Sequence, residues 1–306
     1  MIILNELPEH IQEHATVITI GTFDGIHKGH QKVLQQLLEI KTTHTLKSIV
    51  FTFYPHPRKI IPITTAQSHI QTLTSKNEKT ELLKQYNIDY LIFCPFNEKF
   101  ANILPEDFVK YLVSALNAKY IIIGYDHKFG KNREGSVETF LKLSKELNFQ
   151  VIQIPAQTIQ EINISSTKIR ESLLLGNIQQ ANELLGYNYF ITGTVVRGKQ
   201  LGKTIGIPTA NICLKDNDKL IPQKGVYNVQ VEVDGKTYKG ALNIGTNPTT
   251  DSDDKLKIEV HIIDFNKEIY DNDIKISFLN KIRDEQKFHS IQEMINQIQK
   301  DISLCK

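Results

Sequence analysis

The chain has 306 residues, with 36 lysines and arginines, 34 aspartates and glutamates, and a formal net charge of +2 at pH 7. A nearly neutral chain without a long basic run is not expected to form an extended nucleic-acid groove. The three cysteines have no pairing motif, which predicts free thiols in a cytoplasmic protein. No apolar run is long enough to span a bilayer and no secretory leader pattern opens the chain, so no membrane partner is expected.

Up to about residue 186, short apolar runs of strand length alternate with helical patterns. Between the runs, Ser75 and Glu78 have the spacing of a capping box, and Pro105 suits a first helical turn. This alternation predicts a doubly wound parallel α/β sheet over residues 1–186. The strand-like runs are "ATVITI" from Ala15, "SIVFTF" from Ser48, "DYLIFCPF" from Asp89, "YIIIG" from Tyr120 and "FQVIQIP" from Phe149.

The stretch "GTFDGIHKGH", residues 21–30, lies between the first of these strands and a helical pattern. A helix N-terminus attracts anions through its free N–H groups, and an imidazole donates a hydrogen bond or carries a positive charge. Gly25 and Gly29 have no Cβ and let a ligand approach the backbone closely. The motif therefore predicts a phosphate cradle at the carboxyl edge of the sheet. An ordinary surface turn stays open as the alternative, and zinc is not favoured because no CxxC or HExxH accompanies the histidines.

A second polar motif, "ISSTKIR", spans residues 164–170 where another helix is expected to begin. Hydroxyl and free N–H groups bind phosphate oxygens, and the Arg170 guanidinium can clamp them in a bidentate manner. Taken alone, the motif also fits an ordinary helix cap with surface basic residues.

The pattern changes near Tyr187. "VYNVQVEV" and "KLKIEVHI" alternate apolar and polar residues, and Asp234–Gly235 predicts a tight hairpin. We therefore expect residues 187–306 to form a small antiparallel β-barrel with a C-terminal helix. The apolar stripe of that helix is expected to pack on the barrel as core. It comprises Ile291, Met294, Ile295, Ile298 and Ile302.

Taken together, the motifs of both halves of the chain resemble those of a known family. "GTFDGIHKGH" with "ISSTKIR" resembles the nucleotidyltransferase domain of the bifunctional riboflavin kinase/FAD synthetases, and "FTFYPHPRKI", "LPEDFV" and "IIIGYDHKFGKNREGS" follow in that family's order. "GKTIGIPTANI", "KGVYNV", "NIGTNPT", "IEVHIIDF" and "KIRDEQKF" resemble its riboflavin kinase domain. The resemblance covers nearly the whole chain.

This resemblance implies two successive reactions. The C-terminal domain is expected to convert riboflavin and ATP to FMN and ADP, and the N-terminal domain to convert FMN and ATP to FAD and pyrophosphate. Mg²⁺ is the implied cofactor, with ATP as co-substrate. The sequence leaves self-association open.

The resemblance also assigns residues to the N-terminal site. His27 and His30 are expected to donate to the α- and β-phosphates of ATP, and Asp24 to orient either the loop or the nucleotide. Hydroxyls and the guanidinium of the second motif are expected to hold the β- and γ-phosphates. The further nucleotide-binding residues are Gly21, Phe23, Gly29, Asp126, Ser165, Ser166 and Thr167, with Arg170 counted as catalytic.

In the kinase domain, Glu259 of "IEVH" matches the family's general base. A base is useful there because a neutral ribityl hydroxyl must lose a proton as it attacks. Thr209 and Asn211 of "PTAN" offer hard oxygen ligands for Mg²⁺. A flexible flap over ATP is implied for Gly198, Gly202 and Gly206, and the nucleotide-binding residues of this domain are expected to be Gly198, Gly202 and Lys203. Taken alone, a strand glutamate is usually a solvated residue, and "PTAN" can be a plain turn.

Two other functions compete with this one. A nucleotidyltransferase of the pantetheine-phosphate or glycerol-phosphate type also uses H-x-G-H, but it leaves "PTAN" and the second domain unexplained. A flavin-binding regulator built on a decayed enzyme is of a different class. The intact residues that argue against decay are His27, His30, Arg170, Thr209 and Glu259.

Overall fold

A computed structural model describes residues 1–11, 14–61, 70–124, 128–155, 158–159, 162–198, 202, 205–246 and 256–306. Contacts within the chain divide it into two compact units, Met1–Ser165 and Ser166–Lys306. Among the helices in these ranges, none is long and apolar enough to cross a membrane.

The first unit is built on a six-stranded sheet in which every neighbouring pair is parallel, in the order β1-β4-β3-β2-β5-β6. The predicted doubly wound sheet is confirmed. The short edge strand β1 was not predicted, because three residues are too few to show a period. The strands are β1 Ile2–Leu4, β2 Thr16–Ile20, β3 Lys47–Tyr54, β4 Tyr90–Pro95, β5 Ala118–Gly124 and β6 Gln150–Ile154.

Helices and short elements connect these strands. The predicted capping box is present, since the Glu78 N–H donates to Ser75 Oγ at 3.2 Å and the Ser75 N–H donates to Glu78 Oε2 at 2.9 Å. The helices are α1 Lys28–Thr43, α2 Pro57–Ile60, α3 Lys76–Lys84, α4 Glu98–Ala101, α5 Pro105–Ser114 and α6 Val137–Leu147, with a 3₁₀ turn at Lys131–Arg133. A small antiparallel hairpin, β7 Thr158–Ile159 and β8 Ile162–Asn163, follows β6.

The core of this unit lies between the sheet and its helices. Ile18, Phe51 and Ile121 of the sheet are fully buried with Leu112 of α5 and Phe140 of α6. Burying one such side chain contributes about 1.5–3 kcal/mol. The packing therefore fixes where each strand ends, and with it the position of the loops at the carboxyl edge.

The sheet order identifies a switch point beside β2. This strand pairs with β3 on one side and with β5 on the other. In open α/β sheets the crevice outside the carboxyl ends at such a point is where ligands bind. β2 ends at Ile20, so the motif of residues 21–30 begins at this crevice.

The second unit contains a closed antiparallel barrel with the strand order β10-β13-β12-β11-β14-β9. This confirms the predicted barrel and its C-terminal helix. Its elements are α7 Ser166–Leu174, α8 Ile178–Leu185, β9 Phe190–Val196, β10 Ala210–Leu214, β11 Gly225–Val233, β12 Lys236–Thr246, β13 Leu256–Ile262, β14 Asp273–Arg283 and α9 Ile291–Ser303.

The hairpin between β11 and β12 turns at Asp234 and Gly235, as predicted. Both residues have positive φ, 50° and 70°, which matches the two-residue turn that follows the twist of the strands. Tyr227, Val229 and Val231 of β11 are fully buried, so the alternating pattern places the apolar side chains inside the barrel.

Two short helices pack with the barrel. The Gln223 N–H donates to the Leu173 carbonyl of α7 at 3.0 Å, and Asn182 Nδ2 of α8 donates to the Phe278 carbonyl at 2.9 Å. These bonds explain why residues 166–186 group with the second unit rather than with the sheet.

The C-terminal helix forms an ion pair with β14 of the barrel. Arg283 donates to the buried Asp301 carboxylate at 3.1 Å from Nε and 2.8 Å from Nη2. Met294, Ile295, Ile298 and Ile302 are half-buried, but Ile291 is 69% exposed. The prediction that Ile291 packs as core is wrong. Ile291 is the first residue of the helix, and its helical spacing from the other apolar residues does not show where the contact with the barrel ends.

Candidate active sites

Residues 21–27, which we call the histidine loop, have an unusual backbone. Phe23 and Ile26 have φ of 46° and 37°, and Gly25 has φ of 82°. A left-handed conformation is unfavourable for Phe and for a β-branched Ile, so it persists only where the surroundings enforce it.

The Asp24 carboxylate provides one such constraint. Asp24 is 1% exposed and accepts hydrogen bonds from the Leu73 N–H at 2.9 Å and the Thr74 N–H at 3.1 Å. Thr74 Oγ1 in turn accepts the Gly25 N–H at 3.2 Å. Of the two roles predicted for Asp24, orienting the loop is the one this geometry supports.

The side chains of Lys79 and Thr52 also hold the backbone of the histidine loop. Lys79 Nζ donates to the Thr22 carbonyl at 2.6 Å, and Thr52 Oγ1 donates to the same oxygen at 3.1 Å. Thr52, Thr74 and Lys79 were not predicted. The sequence did carry a signal for Lys79, because it precedes Leu82 and Leu83 by three and four residues and so lies on the same buried face of α3.

His27 and His30 come together at the start of α1. His27 is the N-cap residue, and its Nδ1 accepts the His30 N–H at 3.3 Å. The two rings stack with centroids 3.7 Å apart and planes 14° apart. Since Nδ1 of His27 is an acceptor, a neutral His27 carries its proton on Nε2.

His30 has a perturbed titration. Burial, the neighbouring His27 and the Lys79 ammonium, in that order, hold the pKa of His30 well below its usual value. Its Nδ1 is buried and has no hydrogen-bond partner among the described residues. His30 is therefore neutral near pH 7 and can donate one ring N–H.

The remaining N-terminal candidates surround this pair. The Gly21 N–H donates to the Phe51 carbonyl at 3.1 Å, and the buried Phe23 ring lies 5.0 Å from that of His30. A Cβ on Gly29 would lie 3.2 Å from the His27 ring and 4.0 Å from the Ile164 carbonyl oxygen. The first turn of α1 therefore lies near the start of "ISSTKIR". Asp126 lies outside the described residues.

The second motif crosses the boundary between the units. Ser165 is the last residue of the first unit and Ser166 begins α7 in the second. On this helix Ser166 and Arg170 are half-buried and Thr167 is exposed. Their phosphate-binding roles stay predictions.

In the barrel, three polar residues lie side by side on adjacent strands. Glu259 of β13 is directly opposite Asn211 of β10 and Asn243 of β12. Directly opposite residues of antiparallel strands point to the same face. We call Asn211, Glu259 and Asn243 the amide–carboxylate row; Asn243 was not predicted. The Glu259 carboxylate is 26% exposed and forms an ion pair with Lys257.

The segment around "PTAN" folds closely over this row. A Cβ atom on Gly198 would overlap the Asn211 amide, and one on Gly202 would overlap the Ile207 carbonyl oxygen. Neither position therefore has room for a side chain. The Gly202 Cβ would lie 3.2 Å from Thr209 Oγ1. His261 Nδ1 is 2.8 Å from the Pro208 carbonyl and ties β13 to the same segment. Lys203 lies outside the described residues.

A cavity of about 380 Å³ opens beside Asn211. Asn211, which is 9% exposed, lines the cavity, and Thr209, two residues earlier in the chain, is exposed. The lining of the cavity includes Val196, Arg197, Gly198, Asn211, Ile212, Leu256, Lys257 and Ile258. The cavity offers two cationic side chains, those of Arg197 and Lys257, together with an amide and apolar walls.

These two sites define a class of protein. A switch-point loop that presents two imidazoles at a helix N-terminus suits the transfer of a nucleotide, and a barrel with a carboxylate beside an amide and a cavity suits a small-molecule kinase. The family model for FAD synthetase matches residues 9–168, and that for riboflavin kinase matches residues 185–306.

Known proteins are similar to this chain over nearly its whole length. The chain is 37% identical over 285 residues to the bifunctional riboflavin kinase/FMN adenylyltransferase of Listeria monocytogenes, covering 93% of this chain and 90% of the relative. The Bacillus subtilis protein of that name is 36% identical over 301 residues, covering 96% and 93%. A crystal structure described as a macrolide-efflux protein from Streptococcus pneumoniae has a TM-score of 0.90 and 30% identity, covering 100% and 99%.

The chain belongs to the bifunctional riboflavin kinase/FMN adenylyltransferase family. It is a bifunctional enzyme of flavin cofactor synthesis. The resemblance seen in the motifs is confirmed, and the family assignment leaves no support for a decayed regulator.

Proposed function

We propose that the histidine loop performs the adenylyl transfer and the amide–carboxylate row performs the phosphorylation. The observation that carries this division is that each family domain contains one of the two polar sites. Riboflavin, FMN and ATP are the substrates and FAD is the final product. Because ATP is the common co-substrate and Cys94, Cys213 and Cys305 are free thiols, we place the enzyme in the cytoplasm.

In adenylyl transfer, a phosphate oxygen of FMN attacks the α-phosphorus of ATP, and the bond to the β-phosphate oxygen breaks to release pyrophosphate. The attacking phosphate is already anionic, so no protein nucleophile is needed. Catalysis then depends on donors aimed at the charge that develops. The Nε2–H of His27, one N–H of His30 and the N-terminus of α1 supply such donors. Arg170 and the hydroxyls of residues 165–167 are proposed to hold the remaining phosphates.

In the kinase site, the ribityl hydroxyl of riboflavin attacks the γ-phosphorus of ATP and gives its proton to Glu259. The bond from that phosphorus to the β-phosphate oxygen breaks, and ADP leaves. A general base helps because the attacking group is neutral. Support comes from the half-buried position of Glu259 and from its ion pair with Lys257, which restrains the position of the carboxylate. Asn243, on the other side of Glu259, can orient the carboxylate or the hydroxyl.

A divalent cation is typical of such enzymes, and we propose Mg²⁺. The donors present fit it: Mg²⁺ prefers oxygen and commonly takes only one or two protein ligands besides phosphate oxygens. The Thr209 hydroxyl and the Asn211 amide oxygen would hold it. When bound, it neutralises charge on the phosphates.

Asn211→Ala is expected to weaken metal-dependent nucleotide binding to the barrel, because it removes a proposed ligand. Calorimetric titration of ADP with and without Mg²⁺ measures this, and Asn228→Ala, on β11 outside the row, is the matched control. FAD synthesis from supplied FMN should be unchanged. If ADP binding by Asn211→Ala depends on Mg²⁺ as in the unaltered protein, Asn211 is not a ligand.

We propose a functional boundary at residues 186 and 187. A fragment of residues 187–306 is expected to phosphorylate riboflavin and to make no FAD. The fragment of residues 166–306 serves as control, because α7 and α8 donate and accept hydrogen bonds with the barrel and should raise its melting temperature. FAD synthesis by either fragment would refute the division of labour.

The overall assignment is tested by incubating the full chain with riboflavin and MgATP and separating the flavins by chromatography. Successive appearance of FMN and FAD is the expected result. Bound but unchanged riboflavin would favour a flavin-binding regulator. Formation of FMN without FAD would refute the proposed adenylyl transfer.

A further inference from the structure

A lysine is buried directly beneath the histidine loop. Lys79 is 7% exposed, and its Nζ donates to the Thr22 carbonyl at 2.6 Å and lies 3.5 Å from Thr52 Oγ1. Thr22 directly precedes Phe23, the first of three loop residues with positive φ, which also include Gly25 and Ile26. The ammonium therefore contacts the loop at the point where its backbone is most constrained.

The fold alone does not need a charge at this position. Lys79 shares the buried face of α3 with Leu82 and Leu83, which are 7% and 0% exposed. Burying an ammonium costs several kcal/mol, and a well-packed apolar side chain often serves stability equally well. Part of the cost is offset by the Thr22 carbonyl and by attraction to the Asp24 carboxylate. Buried ionisable groups with perturbed pKa values cluster at functional sites, and Lys79 lies directly next to the histidine loop.

We propose that Lys79 is a positioning residue for adenylyl transfer, whose buried ammonium holds Thr22 and Asp24 and so fixes the loop that presents His27 and His30. The ammonium also places a positive charge near the His30 ring. This inference rests on the adenylyl transfer proposed for the first unit.

The charges around Lys79 predict a measurable pH dependence. It faces Asp24 from the histidine loop and His30 from α1, and His27 stacks on His30. Burial lowers the pKa of Lys79 to about 8, and Asp24 acts in the opposite direction. The ammonium is thus charged below about pH 8 and is lost as the pH rises through that value. FAD synthesis should fall in the same range.

Lys79→Met tests this, because it removes the charge and keeps most of the side-chain volume. We expect kcat for FAD synthesis to fall by roughly 10- to 10²-fold, less than the 10²–10³ for a donor that contacts the transition state. The alkaline fall near pH 8 should be absent from the remaining activity. Riboflavin phosphorylation should be unchanged. Lys84→Met removes an exposed charge from the same helix and should behave like the unaltered chain.

Two results would overturn the inference: an unchanged kcat in Lys79→Met, or a lowered kcat that still falls near pH 8, which indicates a structural role only. If Lys79→Met does not fold, Asp24→Asn provides the second test. It removes the carboxylate that raises the pKa of Lys79, so the alkaline fall should move to lower pH; an unmoved profile overturns the inference. Absence of FAD synthesis in the unaltered chain would instead refute the activity itself.

Discussion

His30→Ala is expected to lower FAD synthesis from FMN and ATP by roughly 10²–10³-fold, the usual loss for one donor to a developing charge. The measurement is the initial rate of FAD and pyrophosphate formation at saturating FMN. His30 is neutral near pH 7, so what the variant loses is a hydrogen-bond donor rather than a charge. His30→Gln keeps a side-chain N–H and should lose less.

Riboflavin phosphorylation is the internal control for this variant, since it belongs to the other unit. It should change little in His30→Ala. An equal loss of both activities would indicate misfolding, which thermal unfolding would reveal because the His30 ring also stacks on His27 and lies 5.0 Å from Phe23. Normal FAD synthesis by a folded His30→Ala would contradict the assignment.

Glu259→Gln is expected to lower FMN formation by roughly 10²–10⁴-fold, the usual contribution of general acid–base catalysis. The amide keeps the shape of the carboxylate but does not accept the ribityl proton. MgADP binding, measured by calorimetry, should persist because Thr209 and Asn211 are unchanged. FAD synthesis from supplied FMN should also survive.

The matched control for Glu259 is Glu232→Gln, the same change at an exposed position on β11. It should leave both activities intact. Near-normal FMN production by Glu259→Gln would remove Glu259 as the base. Loss of MgADP binding in that variant would point to a role in nucleotide binding instead.

Elements with a local signal were predictable. Strands β2 to β6 of the sheet, the capping box at Ser75 and the turn at Asp234 follow from periodicity and backbone preference within a few residues. The position of the histidine loop follows as well, because a strand that turns into a helix in a parallel sheet must do so at the carboxyl edge.

The supports of the site could not be predicted in this way. Asp24 accepts from Leu73, 49 residues away, and Lys79 donates to Thr22, 57 residues away. Such partners are chosen by tertiary packing, which no local pattern records. Asn243 was missed for the same reason, since only the register between β12 and β13 brings it beside Glu259.

The amide–carboxylate row has a consequence for how the barrel tolerates change. Directly opposite residues of antiparallel strands have Cα atoms about 4.5–5.5 Å apart, so the three residues span about 10 Å. This separation is set by main-chain hydrogen bonds around a closed ring of strands, with no open edge at which the ring can loosen. Substitutions of interior side chains such as Val229 or Val260 should therefore lower the melting temperature well before they alter the distances on which the proposed phosphoryl transfer depends.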